Sequence, residues 1–272
     1  MRRAALLGIA LLLGAVLAPA GRAAVPVAPP IDEEIDCLEP APRQVDLGAT
    51  PLDGKRAAVD VLVLLDGVTE AEGRAAVKDA VTAYKPIGVD LRARFAPIAI
   101  PSDGTTEGLD GTTWPTASTD RAMTLTKRAV GGRVPPGVEV VYLLTAKELY
   151  LGENQPDADS RSYAIAGLAD CIGGVAFSHR AFAIGERLSF GSSSGSIEVG
   201  ANLPGKILAH EVGHLLGAHH HYANCAESVP SAAVDRSADV CTLMFNDVGV
   251  VSLRFSVLNR PVVRGHALTY AR

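Results

Sequence analysis

HEVGHLLGAHHH, His210–His221, places five of the chain's seven histidines beside a single glutamate. It closes a longer run, ANLPGKILAHEVGHLLG, whose pattern predicts a helix. Asn202 is a suitable N-cap, and Pro204 falls in the first turn, where a missing N–H costs nothing. Leu208, Val212 and Leu215 recur at helical spacing and mark the face turned to a core. His210 and His214 are four residues apart, so their rings lie on one face and can grip one cation at the roughly 2.0–2.1 Å of a zinc–nitrogen bond. Glu211 follows the first of them but is turned about 100° around the axis. It is thus free to meet a water on the open side of a metal, where a general base must stand.

Two histidines do not complete such a site, because catalytic zinc takes three protein ligands and keeps one position open. Gly217 supplies the turn: glycine accepts a left-handed backbone, so it can end the helix and redirect the chain. His220 then returns as the third ligand. His210, Glu211, His214, Gly217 and His220 together match H-E-x-x-H-x-x-G-x-x-H. Spacing alone assigns no role to His219 or His221.

Outward from this segment the chain reads as alternating strands and helices. Ala57–Asp66 (AAVDVLVLLD) is a continuous apolar run, the mark of a buried strand. Thr69 with Glu72 forms a capping box for a helix carrying Val77, Val81 and Tyr84 on one face and ended by Pro86 and Gly88. VDLRARFAPIAI, from Val89, alternates as a strand; a Gly/Thr/Ser-rich loop follows, then a helix over Thr119–Val130 and a buried strand over Val138–Ala146. GLADCIGGVAFSHRAFAIGE suggests short strands and glycine turns, and FGSSSGS a flexible loop. Strand, helix, strand, helix, strand argues for an α/β layer with mostly parallel strands. No repeat, heptad or long linker divides it, so residues 55–272 are expected to form one domain.

Residues 1–20 have the form of a signal peptide: Arg2 and Arg3, an apolar run over Ala4–Leu17 too short to span a bilayer comfortably, and a small-x-small cleavage site at Ala18–Ala20. Residues 21–54, rich in proline and acids, suggest an N-terminal arm or a short pro-segment. Export implies an oxidising compartment, in which the four cysteines pair. Cys225 and Cys241 flank one loop and are paired on that ground, leaving Cys37 for Cys171; the rival is a free Cys37 acting as a metal ligand in a pro-segment. The composition, 48% hydrophobic and 20% charged, is that of a globular protein. A net charge of −5 and the absence of a basic run exclude nucleic acid as an expected partner.

The His210–His221 segment resembles the metzincin clan of zinc endopeptidases, which share the long zinc motif and a later methionine turn beneath the metal. Met244, in VCTLMFND, is similar to that turn, and Cys225 and Cys241 between motif and methionine resemble the reprolysin branch (snake-venom and ADAM-like). GLADCIGG…HRAFAIGE is similar to the reprolysin stretch leading into the edge strand over the cleft. Two departures stand out: His221 where reprolysins usually carry aspartate, and Asn246 where astacins and serralysins place a tyrosine. The resemblance implies an α/β (α+β) fold: a mixed, mostly parallel twisted sheet with an edge strand over the cleft, a long active-site helix and a smaller C-terminal subdomain holding the methionine turn. It also implies a secreted monomer with one catalytic Zn2+, hydrolysing an extended peptide or protein held along the edge strand, with no stable membrane association after signal cleavage. The specificity pocket is expected after Met244, apolar from Val250, Val251, Leu253 and Phe255 despite Arg254. A zinc-loaded protein that only binds peptides and an amidase of cell-wall peptides are the alternatives. Structural calcium is left open.

Overall fold

A computed structural model describes residues 36–47, 54–107, 113–151, 166–187, 203–220, 242–244 and 252–271. By its internal contacts the chain divides into Met1–Ile31, wholly outside these residues, and Asp32–Arg272. The signal segment, Asn202, His221, Cys225, Cys241, Val250 and Val251 also lie outside the described residues.

The apolar run Ala57–Asp66 is strand β1, alternately buried at first and buried on both faces over its last four residues. Helix α1, Glu70–Tyr84, starts at the expected capping box: the Glu72 N–H donates to Thr69 Oγ1 (3.3 Å) and the Thr69 N–H to Glu72 Oε2 (2.8 Å). Its buried stripe is narrower in side chain than the spacing suggests. Ala76, Ala80, Ala83 and Tyr84 are buried, while Val77 and Val81 lie at its margin. The reason is close packing of α1 on helix α3, Leu203–Leu215: a Cβ at Gly205 would come within 2.7 Å of the Ala76 carbonyl.

After a single 3-10 turn, Gly88 (φ 75°) turns the chain into β2, Val89–Ile98, parallel to β1. The next stretch corrects the expected loop: β3, Gly104–Glu107, and β4, Thr113–Ser118, pair antiparallel, and β6, Glu148–Tyr150, joins β4 in a small second sheet. β3 and β4 are short and mostly polar, with Gly104 in one and Pro115 in the other, so no alternation of apolar residues marks them. Helix α2 covers Thr119–Ala129, and β5, Val140–Thr145, is buried throughout. β7, Gly167–Ala169, and β8, Phe182–Glu186, complete the main sheet in the order β2-β1-β5-β8-β7. All neighbours are parallel except β7, which runs antiparallel along β8 as the edge strand. The fold is therefore α/β with a mixed, mostly parallel sheet, as expected.

Two cores lie on the sheet's two faces. One joins β1 and β5 to α1, α3 and the C-terminal helix α4, Asn259–Tyr270, and includes Met244 and Phe255. The other packs Leu64, Val141, Leu143, Phe182 and Ile184 against α2 and the small sheet. α4 is tied to the start of the sheet by buried Arg264, which donates to the carbonyls of Lys55 (2.7 Å) and Ile87 (3.2 Å). Cys37 is bonded to Cys171, and Asp36 bridges Ile172, which leaves no thiol at Cys37 for a metal.

Candidate metal centre

α3 is buried along almost its whole length, Lys206 included. Burial of a full helix is what sets the rings of His210 and His214 in fixed directions. The His210 Nδ1–H donates to the Leu243 carbonyl (2.8 Å), and the His214 Nδ1–H donates to the Ala218 carbonyl (2.8 Å). A carbonyl can only accept, so both protons sit on Nδ1 and both Nε2 atoms present a lone pair. Those two Nε2 atoms stand 3.0 Å apart, and each lies 3.1 Å from His220 Nε2.

Two lone pairs facing one another at that distance cannot hydrogen-bond and repel unless a cation lies against them. All three nitrogens are close enough together for one ion to touch each at roughly 2.0–2.1 Å. Three neutral imidazoles form a donor set that zinc favours. His210 and His214 are kept neutral by the site itself. Burial pushes His214 down to about 3, with His220 adding to the shift, and burial followed by His214 and His220 holds His210 well below its ordinary value. Among the described residues, these three histidines are the group of metal-ligating side chains the fold brings together.

Glu211 stands outside that cluster. It is buried, and its carboxylate lies over the edge strand: a Cβ at Gly167 would come 2.7 Å from Glu211 Oε1. Two tyrosine hydroxyls are held in their protonated form, first by burial and then by the charge of Glu211. Tyr84 donates to the Ala209 carbonyl (2.7 Å), and Tyr142, behind Gly185, has no hydrogen-bond partner among the described residues. Gly217 has φ 86°, the left-handed turn its place in the motif requires. Its missing side chain makes room for the His266 ring, whose Nδ1 would lie 2.7 Å from a Cβ there.

Met244 is fully buried beneath α3, and a Cβ at Gly213 would come 2.9 Å from its sulfur. Its neighbour Leu243 supplies the carbonyl that orients His210. Phe255, expected to wall a pocket, packs edge-on against Tyr84 (5.2 Å) under Gly213 and belongs to the floor of the helix. His219 turns away from the three rings toward Asp36, with Nε2 3.6 Å from the carboxylate. Sequence reasoning missed Gly167, the Leu243 carbonyl, Tyr142 and Asn259, whose amide brackets His219. Each reaches the site from a distant segment, and none has a local spacing that signals it.

A family model described as metallo-peptidase family M12B, reprolysin-like, matches residues 70–221. Among solved structures, the chain is similar to archaemetzincin from Methanopyrus kandleri, at 16% identity and a TM-score of 0.45, over 76% of this chain and 95% of that one. It is also similar to a zinc-dependent peptidase from Methanocorpusculum labreanum, at 14% identity and a TM-score of 0.45, over 75% of this chain and 99% of that one. No curated protein sequence matches it.

Proposed function

The chain belongs to the reprolysin-like M12B metallopeptidases and is a zinc-dependent peptidase; we propose that it is a secreted endopeptidase in which His210, His214 and His220 hold the zinc and Glu211 is the general base. The observation that carries this reading is the convergence of three Nε2 atoms, 3.0–3.1 Å apart, with the Nδ1 protons of two of the rings committed to carbonyls. Zinc bound there supplies a Lewis acid that polarises the scissile carbonyl and lowers the pKa of its water. Glu211 does the proton work: its carboxylate takes the proton of the attacking water and passes it to the departing amine nitrogen. Its place beside Gly167 supports that role, because the carboxylate then stands between the histidines' helix and the strand along which a substrate would lie.

The outer side of β7 is the edge of the main sheet among the described residues. An extended peptide can add there as a further strand, so that main-chain hydrogen bonds give affinity with little demand on sequence. The basic start and the apolar run over Ala4–Leu17 support export. Among the described residues no helix is long and apolar enough to cross a membrane.

The test is Glu211→Gln, which keeps the size of the side chain and removes its basicity. Hydrolysis of casein and of a peptide mixture should fall by at least about 100-fold, since a positioned general base is worth on the order of 100- to 10,000-fold. Zinc content, measured on the same preparations, should not change. Near-normal turnover in the variant would remove Glu211 from the mechanism. A zinc-loaded wild type that digests neither casein nor peptides would favour a binding protein, or an amidase if it cuts peptidoglycan.

A further inference from the structure

The chain offers three consecutive histidines, His219, His220 and His221, to a site with one ligand position left after His210 and His214. Something must choose among them. The turn that leads there is held link by link. The N–H groups of Gly217 (2.8 Å) and Gly173 (2.9 Å) both donate to the His214 carbonyl. The Ala218 N–H donates to the Gly213 carbonyl (2.9 Å), and the Ala218 carbonyl accepts from the His214 ring. His219 is the last link, and a side chain forty residues downstream holds it. Asn259 Oδ1 accepts from the His219 N–H at 3.2 Å, and Asn259 Nδ2 donates to the His219 carbonyl at 2.8 Å.

Those two backbone groups belong to the two peptide planes that flank the His219 Cα. Holding both planes against one rigid, planar amide sets φ and ψ of His219 together. It thereby sets the direction in which His220 leaves. The consequence is visible in the rings: His219 goes out to Asp36, and His220 goes in to the other two Nε2 atoms. Asn259 is itself fixed. It is buried at the start of α4, its own N–H donates to Ser256 Oγ (3.2 Å), and Arg264 anchors the same helix to the sheet. Asparagine suits the position because it offers an acceptor and a donor on one short planar group. Aspartate lacks the donor, leucine lacks both, and glutamine is a methylene too long.

We propose that Asn259 is a positioning residue that directs His220, and not its neighbour His219, to the third metal-ligand place. It touches neither the ion nor the substrate and acts through the backbone of His219. The proposal rests on reading His210, His214 and His220 as the zinc ligands.

A double-mutant cycle tests it. Asn259→Leu keeps the branch at Cγ and the number of side-chain heavy atoms and removes both hydrogen bonds. Zinc affinity is measured by competition with a chelating dye on metal-free wild type, Asn259→Leu, His220→Ala and the double variant. Asn259→Leu should weaken zinc binding by about 10- to 100-fold, the usual cost of losing a group that orients a ligand. In the His220→Ala background the same change should cost less than about twofold, because the ligand it positions is gone. The visible spectrum of the cobalt(II)-loaded protein should change on Asn259→Leu in the wild-type background, and should be the same in the double variant as in His220→Ala. Equal losses in both backgrounds, or no loss in the first, would overturn the proposal. If His220→Ala alone binds zinc like wild type, the ligand reading fails instead. Circular dichroism and melting of the metal-free proteins report folding. Loss of the fold in both Asn259→Leu and Asn259→Ala would make Asn259 structural and also overturn the proposal.

Discussion

Gly167 is where the candidate base and the sheet edge meet. A methyl group there would fall 2.7 Å from Glu211 Oε1, 2.8 Å from Ile207 Cγ2 and 2.9 Å from Glu211 Cγ. Real carbon contacts are not that short, so something must shift. The far end of the glutamate shifts more easily than Ile207, which is buried in the packing of α3. Gly167→Ala should therefore fold, keep its zinc and move the carboxylate. Misplacement of a catalytic group by about 1 Å can cost on the order of 100-fold in rate. The expected result is a kcat lowered by about that factor with zinc content unchanged. A kcat within threefold of wild type would mean that Glu211 works from some other position.

The elements follow local chemistry where that chemistry is strong. The capping box at Thr69 holds two N–H groups that the first turn of α1 leaves without helical partners. Replacing Thr69 with Ala removes the hydroxyl that accepts from Glu72 and should cost about 1 kcal/mol, within the 0.5–2 kcal/mol typical of such caps. Urea unfolding is the measurement: the midpoint should fall while the slope stays constant. An unchanged midpoint would mean that tertiary packing alone holds that end, where Gly73 lies against Leu65 and Phe95. The same helix shows where local reading stops. Its valines satisfy the helical period, yet the alanines face α3, because the two backbones come too close for larger side chains.

At the scale of the whole molecule, the sheet buries a carboxyl group. Glu186, the last residue of β8, accepts a hydrogen bond from the Leu149 N–H through Oε1, while its Oε2 is buried without a partner among the described residues. Burial raises its pKa well above the ordinary 4.5 and Glu148 adds to the rise, outweighing the Leu149 N–H, which favours the charged form. A group with a raised folded pKa holds its proton more tightly folded than unfolded. Its contribution to stability is complete below about 4.5 and is lost as pH rises through the folded value. Glu186→Gln cannot ionise. The urea midpoint of wild type relative to Glu186→Gln should therefore decline as pH is raised from 4.5 to 8 on zinc-loaded samples. A constant difference between the two would show that Glu186 is not a protonated acid in the folded protein.

The sequence by itself determined the α/β alternation, the buried strands β1 and β5, both ends of α1, and the histidine helix with its turn at Gly217. These are legible because a helix period, a capping box, an apolar run and a glycine turn are written within a few neighbouring residues. Four other features were decided only by tertiary structure. The β3–β4 hairpin forms from polar segments that carry no alternation, and it is held by pairing and by its packing on α2. The Nδ1 proton on His210 is placed by a carbonyl thirty-three residues away. Glu211 lies where it does because a strand with no side chain at Gly167 leaves room for it. The backbone of His219, which sends its own ring to Asp36 and the next ring to the other two Nε2 atoms, is held by Asn259. The physical reason is common to all four: each depends on a direction in space set by packing of distant segments. Spacing along the chain fixes which groups can meet, and only the packed core fixes which way they point.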